Sequence, residues 1–351
     1  GHEVKVMDLV AYRGRIRQPL ERLLAEFRPE VVGLSAMTFQ FSTLLRVARF
    51  IRSRLPDAVL VAGGYHATLM AEEETGADPH LPLDFLVRGE GEATFAELLA
   101  ALVAPGRDFA GIAGLSWRGP DGNWRHNPAR PLADLATLAL PDRRARTTQD
   151  FGMFEQPRWR MDVIETSRGC PYSCKFCSIR HMYGASFRRF PLSRVLEDLR
   201  EIRRLGYHGA FIVDDNLTCD SEHLLALCSE IVAAGLNDLF FIIQASAAGL
   251  ANHPETVAAM AKANFRIVYV GFEAMLPNRL QAMAKPTSPE VNRRAAAFVR
   301  QHGMGLIAGL IVGYPKDTAA TVRANFRAVQ RQLRPDLMYP LYLTPYPKTE
   351  L

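Results

Sequence analysis

Hydrophobic residues in this chain fall in short runs separated by amphipathic segments, and the two alternate from one end to the other. Val4 to Met7 is a short apolar run that predicts a strand. Leu20, Leu23, Leu24 and Phe27 recur at helical spacing and predict a helix. Val31 to Leu34 reads as a buried strand, Thr43 to Leu55 as a helix closed by Pro56, and Ala58 to Ala62 as a strand stopped by Gly63-Gly64. Phe85 to Val87 adds a strand, followed by Gly89-Glu90-Gly91-Glu92 and a helix from Thr94 to Leu102. Such alternation implies an α/β fold with a parallel, doubly wound sheet, whose ligands bind outside the carboxyl ends of the strands.

The character changes between residues 105 and 160. Ile112 to Trp117 alternates, Gly119-Pro120-Asp121-Gly122-Asn123 is a turn, and Trp124 resumes, which predicts a β-hairpin. Pro128, Pro131 and Pro141 then mark an extended connector. Its run Asp142-Arg143-Arg144-Ala145-Arg146 reads as solvated charge, open to an acidic substrate or partner.

From residue 161 strand and helix alternate again. Strands are expected at Met161 to Thr166, Phe211 to Val213, Leu239 to Ile243, Ile267 to Val270, Leu306 to Val312 and Met338 to Leu343. Helices are expected at Arg194 to Leu205 with Ser193 as N-cap, Glu222 to Ala234, a short one from near Pro254, one starting at Ser288-Pro289-Glu290, and Thr318 to Leu333. Six βα-type strands fit a six-stranded partial (β/α)6 barrel. Barrel sites lie at the carboxyl ends of the strands. The polar residues Asp214, Asp215, Asn216, Gln244, Ser246 and Glu273 fall at those ends here, although Asp and Ser there can equally cap the next helix.

Composition narrows the class only a little. With 351 residues, 48% of them hydrophobic and 23% charged, the chain suits two ordinary globular domains. The formal charge of +5 is modest and its arginines are dispersed, which speaks against nucleic acid as partner. No apolar stretch approaches the roughly 18 residues of a membrane span, and no secretory signal is visible. Of five cysteines three are clustered, which is no disulfide framework and fits a reducing cytoplasm. Neither end of the chain reads as a natural terminus.

The cluster is Cys170, Cys174 and Cys177, spaced C-x3-C-x2-C in the run Arg168-Gly169-Cys170-Pro171-Tyr172-Ser173-Cys174-Lys175-Phe176-Cys177. Thiolates on one short loop suit an iron–sulfur cluster, and three ligands leave one metal position open for chemistry. The alternative is part of a zinc site, for which His181, four residues past Cys177, is the nearby fourth ligand. Cys228 lies on the apolar side of its helix and reads as core, and Cys219 lies in a loop at the top of the barrel.

This loop, with Phe176 before the last cysteine, resembles the signature of the radical S-adenosylmethionine (SAM) superfamily. The resemblance implies a 4Fe-4S cluster on Cys170, Cys174 and Cys177, SAM chelated to its unique iron, and cleavage of SAM to methionine and a 5'-deoxyadenosyl radical. It places Asp215 and Asn216 near the SAM amino group and Gln244 and Ser246 by the methionyl or ribose part. Glu273 falls on the ribose hydroxyls, with Phe176 and Ile307 to Gly309 against the adenine. An arginine often follows the Gln244 strand in that family, where this chain has Ala247 and Ala248. Residues 1 to 104 resemble the cobalamin-binding domain that precedes many radical SAM domains. Gly33-Leu34-Ser35 and Val61-Ala62-Gly63-Gly64 match the stretches lining the nucleotide tail. Ser35, Gly63 and Gly64 are therefore expected cobalamin contacts, although Gly-Gly also serves simply as a tight turn. His66 follows closely and stands between a corrin contact and a structural histidine. Asp84 to Glu92 resembles the close of that domain, and Thr344 to Thr349 the end of the sixth barrel strand. The family implies a small-molecule substrate, an electron donor such as flavodoxin or ferredoxin, and cobalamin-dependent methylation of an unactivated carbon. Cyclisation or rearrangement without methyl transfer is the alternative, and a non-catalytic metal-binding sensor is the alternative of another class.

Overall fold

The computed structural model describes residues 1–12, 14–148 and 160–350. The chain forms two compact units, one of residues 8–138 with 346–348, the other of residues 1–7, 139–345 and 349–351.

The first unit is built on β1 (Val31–Ser35), β2 (Val59–Gly63), β3 (Phe85–Val87), β4 (Leu115–Arg118) and β5 (Trp124–His126), which form one sheet in that order. β1, β2 and β3 run parallel, and β4 and β5 are antiparallel. The described strands lie in sequence order across this sheet. The hairpin expected at Ile112 to Trp124 is therefore no separate linker. It extends the sheet, and Ile112, Leu115 and Trp117 pack with Val61, Phe85, Val87 and Leu98 in one core. Burying that apolar surface ties β4 and β5 to the unit at about 25 cal/mol per Å².

The strand expected at Val4 to Met7 belongs elsewhere. Val6 bridges the connector instead, donating to Ala145 O at 2.7 Å and accepting from Thr147 N at 2.8 Å. Val4 and Val6 stay largely exposed. So short an apolar run buries too little to claim a place in a sheet core.

The second unit contains β6 (Met161–Ile164), the two-residue pair β7 (Ser167–Arg168) and β8 (Arg188–Arg189), then β9 (Gly209–Ile212), β10 (Phe240–Ser246), β11 (Phe265–Glu273), β12 (Gly305–Val312) and β13 (Leu337–Tyr342). Six of these form one parallel sheet in the order β13-β12-β11-β10-β9-β6, as a partial (β/α)6 barrel requires. One face of the four central strands β9 to β12 is fully buried, at Ala210, Phe241, Ile243, Val268, Val270, Leu306, Ala308 and Leu310. The other face carries Gln244, Tyr269 and Ile307 at one register level, and Tyr269 and Tyr339 meet edge to face. Caps follow local chemistry. Ser288 accepts from Val291 N at 3.2 Å, and Asp220 from His223 N at 3.0 Å. Ser193 does not cap; the helix Leu192–Arg204 starts before it, behind Pro191 in extended geometry. Proline fixes φ but leaves ψ extended, so it ends the preceding chain and starts the helix without a side-chain acceptor.

The connector departs most from expectation. Arg143 is buried, with Nε 2.9 Å from Asp162 Oδ2, Nη1 on Asp198 Oδ1 and Nη2 3.0 Å from Val163 O. Arg146 reaches the same Asp162. These two arginines are not solvated; two buried acids of the barrel, on β6 and on the helix Leu192–Arg204, take them in. Residues 149–159 of the connector lie outside the described residues.

Candidate active site

The cysteine loop leaves the barrel from β7, just past the carboxyl end of β6. Gly169 starts it at φ 93°, a conformation open to glycine, and a Cβ there would collide with Ser186 O. Its N–H donates to Asp215 Oδ2 at 2.8 Å. Asp214 next to it is buried and accepts from Thr166 N at 2.7 Å, Thr166 Oγ1 at 2.6 Å and Ser167 Oγ at 2.5 Å. The adjacent acids after β9 thus divide their work. Asp214 fixes the exit of β6, and Asp215 fixes the first turn of the loop. Burial pushes the Asp214 carboxyl up to about 6 against these hydrogen bonds, and burial also raises Asp215.

Asn216 completes the strand end. Its Oδ1 accepts from Thr218 Oγ1 at 3.0 Å, so its amide nitrogen faces the other way and donates to Cys170 Sγ at 3.6 Å. Ser246 braces this arrangement from β10. Its N–H donates to Thr218 Oγ1 at 2.9 Å, and its Oγ accepts from Gly249 N at 3.2 Å. Ser246 is therefore a buried helix cap that positions Asn216 through Thr218. Gln244 is exposed on the inner face of β10.

At the end of β11 the pairing with β12 shifts between Gly271 and Glu273, and Glu273 takes φ 61°. A bulge with a left-handed residue re-aims the side chain. It swings the carboxylate across Gly271 to Lys285, with Oε1 2.9 Å from Nζ. The ammonium also lies 5.7 Å from the centroid of the Phe176 ring. Sequence reasoning missed Lys285, because only the return of the chain after Pro277–Ala282 places it there. It also missed Tyr269, whose ring occupies the space over Gly309; a Cβ there would stand 2.7 Å from Cζ. The stretch Ile307 to Gly309 is thus partly covered by the chain itself.

Burial pushes the Cys174 thiol up to about 11, with Lys285 pulling the other way, and burial raises Cys177 as well. Metal binding must displace those protons. Cys219, on the turn after Asn216, is within electrostatic reach of Cys170, and burial pushes its thiol up to about 12. Cys228 is core, as its helical position implies. His181 is exposed on the helix Ile179–Tyr183. Among the described residues no three His, Cys, Asp or Glu side chains converge as ligands of one ion do. The donor set fits the cluster: three thiols on one loop, an N–H on one sulfur and a cation beside the other two.

Beyond β13 the chain returns to this loop. Glu350 N donates to Lys175 O at 3.1 Å and its carboxylate pairs with Lys175 at 2.9 Å, while Lys175 N donates to Met283 O at 3.0 Å.

Residues 164–329 match the radical SAM superfamily, and residues 1–99 match the B12 binding domain. The chain belongs to the radical SAM enzymes that carry a B12-binding domain. It is 28% identical, over its whole length, to an uncharacterized methyltransferase of Pyrococcus horikoshii, of which it spans 74%. To the anaerobic magnesium-protoporphyrin IX monomethyl ester cyclase of Rubrivivax gelatinosus it is 27% identical over 93% of its length, spanning 59% of that enzyme. Its fold is that of the radical SAM methyltransferase TsrM from Kitasatospora setae, solved with cobalamin and a 4Fe-4S cluster bound. The TM-score is 0.79 at 22% identity, covering 99% of this chain and 68% of that one.

In the B12-binding unit, Ser35 at the end of β1 pairs with Gly63 at the end of β2, and Gly33 and Ser35 are exposed on one face. Little stands over these small residues: a Cβ on Gly33 would meet only Phe95, at 3.8 Å, and one on Gly63 Val87 at 3.6 Å. That open lane fits a bulky ligand lying on the main chain. Gly64 serves the chain instead; at φ 89° it packs against Ser35 and Ala36, with Ala36 O 2.9 Å from where a Cβ would be. His66 is a structural histidine, buried against Phe41 with ring centroids 4.1 Å apart and bonded to Glu74 at 2.9 Å.

Proposed function

We propose that this chain is the catalytic part of a cobalamin-dependent radical SAM methyltransferase acting on an unactivated carbon. The observation that carries the reading is the meeting of three loop thiols, an amide N–H and a Glu–Lys pair at the carboxyl end of a six-stranded parallel barrel sheet. Cys170, Cys174 and Cys177 would hold a 4Fe-4S cluster, and Ser35 and Gly63 would border cobalamin. When bound, these groups and SAM supply a 5'-deoxyadenosyl radical and a transferable methyl group. The chain's own residues orient the reactants. Asn216 fixes Cys170, Asp215 fixes the loop that bears it, and Glu273 Oε2 remains an acceptor for a hydroxyl while Oε1 is held by Lys285. Gln244 stands open on the inner face for a polar contact.

The substrate is a small molecule, and a flavodoxin or ferredoxin supplies the electron in the cytoplasm. No helix among the described residues is long and apolar enough to cross a membrane. The similarity to a cyclase supports a second reading, in which the same radical closes a ring without methyl transfer. The test is an anaerobic assay of reconstituted protein with SAM, reductant and cobalamin. Formation of both 5'-deoxyadenosine and S-adenosylhomocysteine, the second only with cobalamin, is expected. 5'-Deoxyadenosine alone favours the cyclase reading, and neither product in a protein with full iron content refutes both. His181→Ala is expected to leave iron content unchanged, as a closed zinc site would not.

A further inference from the structure

Lys285 has so far served only to hold Glu273, yet it is a largely buried cation in the site. Its side chain is 13% exposed, its Nζ lies 2.9 Å from Glu273 Oε1, and a Cβ on Gly271 would come within 3.2 Å of that nitrogen. The turn that delivers it is itself constrained, with Ala284 at φ 49° and Lys285 N donating to Leu280 O at 3.0 Å. Across from Glu273 the ammonium faces the ring of Phe176, the residue before Cys177, at 5.7 Å. The turn that bears the lysine is tied to the cysteine loop by the Lys175 N–H, which donates to Met283 O at 3.0 Å. Burying an ammonium is costly unless its charge is answered. Glu273 answers it at 2.9 Å, and the Phe176 ring, next to Cys177 in the chain, is 5.7 Å away.

We propose that Lys285 is the fixed counter-charge of the iron–sulfur cluster and raises the potential at which the cluster accepts its electron. The proposal rests on the cluster reading above. Net charge, hydrogen bonds to sulfur and exposure set the potentials of such clusters, and a unit charge acts over several ångströms in a site shielded from water. Asn216 serves Cys170 in the same sense through its N–H. Lys285 neither binds iron nor gives up its proton; the electron comes from the external low-potential donor, and no bond forms or breaks at the lysine.

The experiment is a potentiometric titration followed by electron paramagnetic resonance, without SAM, on reconstituted wild type, K285M, K285R, E273Q and the K285M/E273Q double variant. Iron content and the wild-type signal test the cluster reading by themselves; their failure would refute that reading before Lys285 is considered. With the cluster present, K285M is expected to shift the reduction equilibrium at least tenfold toward the oxidised form, which for one electron is about 59 mV. K285R is expected to stay within threefold of wild type, E273Q to move the opposite way, and the double variant to fall between. A K285M protein with full iron and the wild-type midpoint overturns the proposal. So does an equal shift in K285R, or a K285M defect confined to SAM affinity. If K285M holds no iron, retention by K285R supports the charge and loss in both overturns it.

Discussion

Replacing Arg143 with methionine is expected to destabilise the barrel unit by about 3–5 kcal/mol, the cost of stranding one half of a buried ion pair. The magnitude follows from what is left behind. Arg143, Asp162 and Asp198 are 5%, 1% and 3% exposed. The guanidinium spends its nitrogens on two carboxylates and the Val163 carbonyl. Asp162 keeps Arg146 at 2.9 Å and the Val163 N–H at 2.8 Å after the change. Burial opposes the charge on Asp162, but Arg146, the Val163 N–H and Arg143 together hold its carboxyl below the usual range. Asp198 has no second donor among the described contacts, so its carboxylate must stay buried alone or take up a proton. Most of the loss therefore belongs to Asp198.

Thermal unfolding of the two variants R143M and R143M/D198L separates this argument from simple loss of packing. At roughly 2–4 °C per kcal/mol for a unit of this size, R143M should lower Tm by about 6–20 °C. Removing the stranded acid as well should bring the protein back to within about 1–2 kcal/mol of wild type, because a buried pair replaced as a whole by apolar groups costs little. R143K should recover less than half of the loss, since one ammonium cannot span both acids and a carbonyl as the planar fork does. A cost for R143M below about 1 kcal/mol would refute the reasoning. So would a double variant no more stable than the single one.

Two further outcomes follow from the site. Gly169→Ala puts a Cβ against Ser186 O at φ 93° and should cost most of the bound iron, whereas Gly206→Ala, strained at φ 79° but with nothing within 4 Å, should cost about 1 kcal/mol and no iron; equal iron loss in both would show that the Ser186 contact is immaterial. Asp214 titrates at about 6 when folded against about 3.9 unfolded, so the folded state holds its proton more tightly and stability falls as pH rises between those values, by about 3 kcal/mol. The stability of wild type minus that of Asp214→Asn should shrink by about 2 kcal/mol between pH 4 and 7 in urea titrations, and a flat difference would refute the assignment.

What could be read from the sequence was whatever local polarity marks. A strand buried on both faces is apolar throughout, so the polar residues that interrupt it at Asp214, Asn216 and Glu273 stand out and mark its carboxyl end. The cysteine spacing is likewise local. The same logic failed where charge has two uses. In Asp142-Arg143-Arg144-Ala145-Arg146, Arg144 pairs with neighbouring Asp142 and stays exposed, while Arg143 is buried and Arg146 is half-buried. Nothing within the run distinguishes them, because the acids that select Arg143 lie 19 and 55 residues further on.

Lys285 failed for the same reason, in a way that bears on function. Glu273 alone resembles a hydroxyl-binding acid, and its left-handed backbone is an unfavourable choice for a glutamate. The Lys285 pair accounts for that conformation: the bulge turns the carboxylate inward, the lysine holds it there, and the same lysine then faces the cysteine loop past Phe176. Glu273 and the cysteines, read as separate cofactor contacts in the sequence, are therefore coupled through one buried cation. A change at Glu273 should alter the cluster as well as the bound substrate, and E273Q variants assayed only for SAM affinity would miss half of its effect.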